Sequence, residues 1–240
     1  MIGLIIQARM GSTRLPGKAL KKVMEKPLLA YQIERLQAVS NIDKLVVATT
    51  PLQQDDPIIA LCEEMQVAYH RASERDLLQR YLETAQRFDF QTIVRSTGDC
   101  PLIDPKIVEK GVELFNLSRV DYLSNTLQRT YPRGMDVEIF SLKALEKADQ
   151  CQDPVLREHV TPPFYLTDQF IVSQFTDDQD NSDLRLTVDT QEDFSLVEKI
   201  FESLYPEKRN FSLENILNLL KKHPDWVKIN LQIKQKELGD

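Results

Sequence analysis

Three cysteines in 240 residues, at positions 62, 100 and 151, are too few and too far apart to build a disulfide framework. Histidine is equally scarce. His70, His159 and His223 are scattered and match no zinc spacing with the cysteines, which argues against a thiol-ligated metal. No apolar run approaches the roughly 20 residues of a membrane span. The first residues lack the charged, apolar, then small-residue pattern of a secretory signal, so a cytoplasmic protein with no membrane partner is expected. Positive charge is also in deficit overall. The net charge is −7, whereas nucleic-acid binding needs a basic face that neutralises several phosphates, and no nucleic-acid partner is expected.

The positive charge that is present is concentrated. Residues 1–26 hold Arg9, Arg14, Lys18, Lys21, Lys22 and Lys26 against Glu25 alone, a local excess that suits a small anionic ligand better than a long polyanion. With 42% hydrophobic residues the chain can bury a sizeable core. Apolar runs at 2–7, 44–50, 67–71 and 92–97 read as strands, and amphipathic stretches at 28–39, 57–65 and 76–88 as the helices between them. That alternation predicts an α/β domain with a largely parallel sheet and right-handed crossovers. Further strands are expected at 121–125, 136–140, 170–175 and 184–188. Asp104-Pro105 opens a helix to about residue 117, Thr190 to Asp193 has capping-box spacing, and a last helix covers 213–222. The expected organisation is one domain over 1–240, with a nucleotide-binding half at 1–125 and a mixed half at 126–240 that completes the same sheet.

The stretch "QARMGSTRLPGKA" (7–19) follows the first strand. It is not a Walker A loop, because five residues separate Gly11 from Gly17 and Ala19 follows Lys18 where a magnesium-binding hydroxyl would stand. No GxGxxG is present either. A strand, a loop of small residues whose amides can face an anion, and three cations remain, and these are the parts of a phosphate cradle. "VRSTGDCPLIDP" (94–105) ends a buried strand with Thr97, Gly98 and Asp99 where open α/β sheets bind ligands. "LRLTVDTQEDF" (184–194) ends in the same way with Asp189. Two strand-end carboxylates could share one magnesium ion, which takes only one or two carboxylates and completes its shell with water and phosphate oxygens. "YPRGMDVEIF" (131–140) and "REHVTP" (157–162) offer Arg133 or Arg157 to clamp a carboxylate bidentately, with His159 beside them. No Ser/His/Asp or Cys/His arrangement is recognisable, and Cys100 reads as packing.

These motifs, in this order, resemble those of CMP-sugar synthetases, the cytidylyltransferases that activate 3-deoxy-manno-octulosonate and sialic-acid-like sugars, and most of all the spore coat polysaccharide biosynthesis protein F type. The likeness covers nearly the whole chain. It implies a three-layer α/β/α nucleotidyltransferase (Rossmann-like) fold with a mostly parallel mixed sheet. It also implies CTP as donor, a sugar acid as acceptor, Mg²⁺ as cofactor and a homodimer, in surface polysaccharide or glycan biosynthesis. By that resemblance Arg9, Ser12, Arg14 and Lys18 belong to the CTP-binding loop, with Ala8, Gly11, Thr97 and Gly98 as further nucleotide-binding positions. Asp99 and Asp189 are the metal-binding carboxylates. Arg71 and Ser73 keep the family's places in "HRASERDLLQRY" (70–81), although Ala72 stands where relatives tend to carry Gly. Arg133, Arg157 and His159 fall to the sugar. A glycosyltransferase or another nucleotidylyltransferase of the same fold, and a non-catalytic nucleotide-binding module, remain open on the residues alone. Release of pyrophosphate from a nucleoside triphosphate and a sugar would exclude the glycosyltransferase and the non-catalytic module.

Overall fold

Leu4, Ile5 and Ile6 are wholly removed from solvent in the strand Ile2–Gln7 (β1), and the rest of the sheet grows outward from it. The computed structural model describes residues 1–235. After β1 the chain makes a long loop ending in a 3-10 turn at Lys18–Leu20, then a short hairpin, β2 (Lys22–Val23) and β3 (Lys26–Pro27). Alternating elements follow: α1 (Leu28–Gln37), β4 (Lys44–Thr49), α2 (Asp56–Glu64), β5 (Ala68–Arg71), α3 (Leu77–Arg87), β6 (Thr92–Thr97) and α4 (Pro105–Leu117). The remainder supplies β7 (Tyr122–Ser124), β8 (Glu138–Ser141), α5 (Leu142–Ala148), α6 (Pro154–His159), α7 (Pro162–Tyr165), β9 (Val172–Gln174), α8 (Gln191–Leu204) and α9 (Leu213–Lys222). None of the described helices is long and apolar enough to cross a membrane.

Seven strands form one sheet in the order β5-β4-β1-β6-β8-β7-β9. Only β8 runs against its neighbours β6 and β7, while every other pairing in the sheet is parallel. The sheet is therefore mixed and mostly parallel, and β7 joins the first half of the chain to β8 and β9 of the second. Side chains alternate across it. Leu4, Ile6, Val47, Val94 and Ile139 pack on one side with α1, α2, α4, α8 and α9. Ile5, Val46, Ile93 and Phe140 pack on the other with α3, α5 and Phe164 of α7. These are the three layers, and each fully buried branched side chain contributes roughly 1.5–3 kcal/mol.

The helix entries follow local chemistry. Asp104 accepts from the Lys106 amide at 3.0 Å to cap α4, and its other oxygen accepts from the Leu213 amide at 2.7 Å, so one carboxylate opens two helices. Thr190 and Asp193 form a reciprocal capping box at α8. Arg35 of α1, only 2% exposed, donates to the carbonyls of Leu102, Ile103 and Phe211. It thereby fixes the segment that follows β6.

Most elements lie within two residues of their expected bounds, but 184–188 is not a strand. Among the described residues its only ladder contact is a single bridge between Arg133 and Arg185. The reason is how its backbone groups are shared: Leu184 and Leu186 bond to Arg133 at 3.0 and 2.7 Å, whereas the Val188 amide turns to the Asp99 carbonyl at 2.8 Å. A segment divided between two loops cannot sustain one ladder.

Gly134 makes that arrangement possible. Its φ is +98°, and a Cβ there would lie 2.6 Å from the Leu186 carbonyl carbon. Gly134→Ala should destabilise the fold by about 2 kcal/mol or more, from the left-handed backbone and the clash together. Urea titration checks this, and an unchanged midpoint would contradict the close approach.

Candidate active site

Strand order reverses at β1, because the chain adds β4 and β5 on one side of it and β6 on the other. Open sheets of this kind have a crevice at the carboxyl ends of the strands flanking the reversal. Here β1 ends at Gln7 and β6 at Thr97, which lie opposite one another in register. Gly98 lets the two ends meet: its amide donates to the Gln7 carbonyl at 2.8 Å, and a Cβ would come within 2.8 Å of that oxygen.

The loop after β1 folds over this crevice. Its Met10 carbonyl accepts from the Ser12 and Gly17 amides at 2.9 and 3.1 Å. The Met10 amide is held at 2.7 Å by Asp55, which is fully buried and also bonds the Thr50 hydroxyl. The result is a recess of about 260 Å³, lined by Ala8, Arg9, Gly11, Ser12, Arg14 and Lys18 on the loop side and by Thr97, Gly98, Asp99 and Asp189 opposite. The sequence-selected phosphate and carboxylate positions are thus brought together.

Charge in this recess is closely balanced. Lys18 Nζ lies 3.0 Å from Asp99 Oδ2 and 2.7 Å from Asp189 Oδ1. Arg14 and Arg185 approach Asp189 Oδ2 at 2.9 and 2.7 Å. Burial opposes the charge on Lys18, but the two carboxylates outweigh it and raise the pKa. Burial likewise opposes the charge on Asp99, and Lys18 with hydrogen bonds from Thr97 and Cys100 brings its pKa down to about 2. Both groups stay ionised at neutral pH. Cys100 beside them is pushed well up, by burial first and Asp99 second, so it remains a thiol, as its packing role predicts.

A second recess of about 450 Å³ adjoins the first and shares Arg14, Thr97, Asp99 and Asp189 with it. Its far walls carry Arg95, Arg129, Arg133, Glu138 and His159. Arg129 pairs with Asp136 through two bonds of 2.6 and 3.0 Å. Arg95 pairs with Glu138, which also accepts from the Tyr122 hydroxyl at 2.6 Å. Arg133 differs from both. Among the described residues its guanidinium has no carboxylate partner, and its pKa is lowered by burial and then by Arg129. A third recess, of about 600 Å³, runs from Gln7, Ala8 and Arg9 past Arg80 to Arg95 and His159. His159 lies where the second and third meet. Burial lowers its pKa, Glu158 opposes that and Arg95 adds to it.

Three sequence-selected residues lie apart from these walls. Arg71 donates to the carbonyls of Thr50 and Leu52 and pairs with Asp56 at 2.8 Å, so it ties down the loop after β4. Ser73 accepts from the Asp76 amide at the entry to α3. Arg157 bonds Asp76, Asp149 and the carbonyls of Asp149 and Cys151, clasping α6 to α3 and α5. In the other direction, Arg95, Arg129, Glu138 and Arg185 were not selected from sequence. Three of them did leave a signal, because Arg95, Glu138 and Arg185 each interrupt an apolar run, and a charge in such a place is usually paired.

A family model described as Cytidylyltransferase matches residues 4–237. The chain belongs to the cytidylyltransferase family. A solved cytidylyltransferase from Leptospira borgpetersenii serovar Hardjo-bovis is 38% identical, with a TM-score of 0.90 and 98% of each chain covered. The spore coat polysaccharide biosynthesis protein SpsF of Bacillus subtilis is 30% identical, over 92% of this chain and 94% of its own. CMP:2-keto-3-deoxy-manno-octonic acid synthetase complexed with CTP, at 19% identity, shares the fold with a TM-score of 0.65, over 84% of this chain and 98% of that one. The expected family and nucleotidyltransferase fold are both borne out.

Because this cytidylyltransferase uses Arg157 to join three helices away from the recesses, Arg157→Ala should cost about 1–2 kcal/mol of stability, the partners Asp76 and Asp149 being partly screened by solvent. The variant should still respond to nucleotide as the wild type does. Denaturant and ligand titrations on the same samples separate the two effects, and lost nucleotide binding at full stability would place Arg157 in the site after all.

Proposed function

We propose that this cytidylyltransferase transfers CMP from CTP to a sugar acid with release of pyrophosphate, in surface polysaccharide or glycan biosynthesis. The observation that carries the acceptor's chemistry is Arg133, the half-buried guanidinium that stands without a carboxylate partner among the described residues while its neighbours Arg95 and Arg129 are paired. A carboxylate on the incoming sugar supplies the missing partner bidentately.

In this reading the triphosphate lies in the recess beneath the loop after β1. Arg9, Arg14 and Lys18 hold its phosphates, with the amides around Gly11 and Ser12 facing the same anion. A sugar hydroxyl attacks the α-phosphorus in line and pyrophosphate departs. Such a transfer asks little covalent work of the protein, so positioning and charge neutralisation carry it. Arg14 and Lys18 follow the charge as it shifts to the leaving group.

Asp99 and Asp189 fit a magnesium ion. They offer hard carboxylate oxygens that face a common point, since one ammonium bridges both, and Asp99 is held ionised. With Lys18 turned to the phosphates these two carboxylates would lack their shared cation, and they would be the residues that hold a divalent ion in its place. Bound there, Mg²⁺ would supply Lewis-acid neutralisation of phosphate charge.

Melting temperatures with CTP, UTP, ATP and GTP, each with and without Mg²⁺, test the donor. A magnesium-dependent rise selective for CTP is expected, because a ligand of the folded state alone stabilises it. Equal responses to all four would remove the cytidine assignment. Pyrophosphate release with sugar acids and with their neutral counterparts tests the acceptor, and Arg133→Ala should raise KM for the sugar acid about 10- to 100-fold with CTP affinity unchanged. Acceptance of neutral sugars equally well by both proteins would end the sugar-acid reading. Asp99→Asn should lower kcat by about 10²-fold or more while leaving the protein folded.

A further inference from the structure

Arg185 is the most heavily engaged cation at the site. Its Nε donates to Asp193 Oδ1 at 2.9 Å, and its Nη2 reaches both Asp193 Oδ2 at 3.1 Å and Asp189 Oδ2 at 2.7 Å. Its Nη1 bonds Gln235 at 2.6 Å, and its own carbonyl accepts from Asn230 at 3.0 Å. Asp193 is fully buried and receives the amides of Asp189 and Thr190 at 2.9 and 3.1 Å. The turn that carries Asp189 is therefore held twice, through its backbone by Asp193 and through its carboxylate by Arg185.

The two oxygens of Asp189 are used differently. Oδ2 faces Arg185 and Arg14, whereas Oδ1 faces Lys18 and, across it, Asp99. Arg14 belongs to the loop after β1, and its side chain is 28% exposed with Asp189 as its ion-pair partner. Arg185 is 6% exposed and already committed to a buried partner. It is the more deeply buried and the more fully bonded of the two.

We propose that Arg185 is the positioning residue for Asp189: by occupying Oδ2 it fixes the carboxylate with Oδ1 toward Lys18 and Asp99, the orientation in which Asp189 would help to hold a divalent cation. This rests on the reading that Asp99 and Asp189 hold the metal. Groups that orient metal ligands typically govern metal affinity by about 10- to 100-fold, and the effect here should fall on the metal rather than on the nucleotide.

The test titrates Mn²⁺ into the full-length protein with CTP present, followed by electron paramagnetic resonance, alongside CTP binding without metal. Arg185→Lys keeps the charge but cannot bridge two carboxylates in the plane of a guanidinium. It should weaken Mn²⁺ by about 10-fold or more and change metal-free CTP affinity by less than about twofold. If Arg185→Lys does not fold, Arg185→Met with Asp193→Asn takes its place, since it removes both buried charges together and keeps a cap acceptor, and the same Mn²⁺ loss is expected. An unshifted Mn²⁺ curve in a folded variant overturns the proposal, as does an equal loss of Mn²⁺ and CTP, which a purely structural arginine would produce. Absence of Mn²⁺ binding in the wild type overturns the metal reading and this inference with it, and so is distinguishable from failure of the inference alone.

Discussion

One ammonium group joins three parts of the chain. Lys18 comes from the loop after β1, Asp99 from the loop after β6 and Asp189 from the segment before α8, and the hydrogen bonds between them span 81 and 171 positions in sequence. Without that bridge Asp99 would lose the cation paired with it in the crevice, while Asp189 would keep Arg14 and Arg185. With it, the loop is drawn down onto the strand ends and the recess acquires its floor. Much of the surrounding structure serves to bring these groups to that point: Gly98 lets β6 close on β1, Asp55 holds the loop at Met10, and Arg35 fixes the segment beyond Asp99.

The sheet was legible in the sequence because its signals are local. A parallel strand buried on both faces is a short apolar run, as at 2–6 and 45–48, and a capping Asp or Thr marks where the next helix begins. The recess was legible for a related reason, since its residues sit at strand ends and in one loop, where position in the fold follows from position in the pattern. Segment 184–188 marks the limit. Its apolar alternation is that of a strand, but Gly134 draws its backbone to Arg133 at one end and the Asp99 carbonyl captures it at the other. Neither partner is near it in sequence.

Arg133 and Arg157 show the same limit for side chains. In sequence they are equivalent candidates for a carboxylate clamp, each in a polar stretch of the second half. Their difference lies in distant partners: Asp76 and Asp149 close around Arg157, whereas Arg133 sits among Arg129, Asp136 and Arg185, with Asp136 already paired to Arg129, and makes no ion pair of its own among the described residues. Buried polar groups are normally satisfied, so a cation that the protein's own acids leave unpaired beside an open recess is more informative than one that is well bonded. The sequence cannot display that contrast, because it depends on which acids the fold has already spent.

Asp193 carries the argument one step further. Its spacing from Thr190 identifies it as a helix-capping residue, and it is one. It is also the buried partner of Arg185, which in turn engages Asp189. A single carboxylate thus caps the start of one helix, neutralises a guanidinium and orients the turn that carries a candidate ligand. Stability and site geometry are drawn from the same hydrogen bonds, so they will not vary independently under mutation. A substitution at Arg185 or Asp193 reaches the recess through the helix start, and one at Asp189 reaches the helix start through the recess.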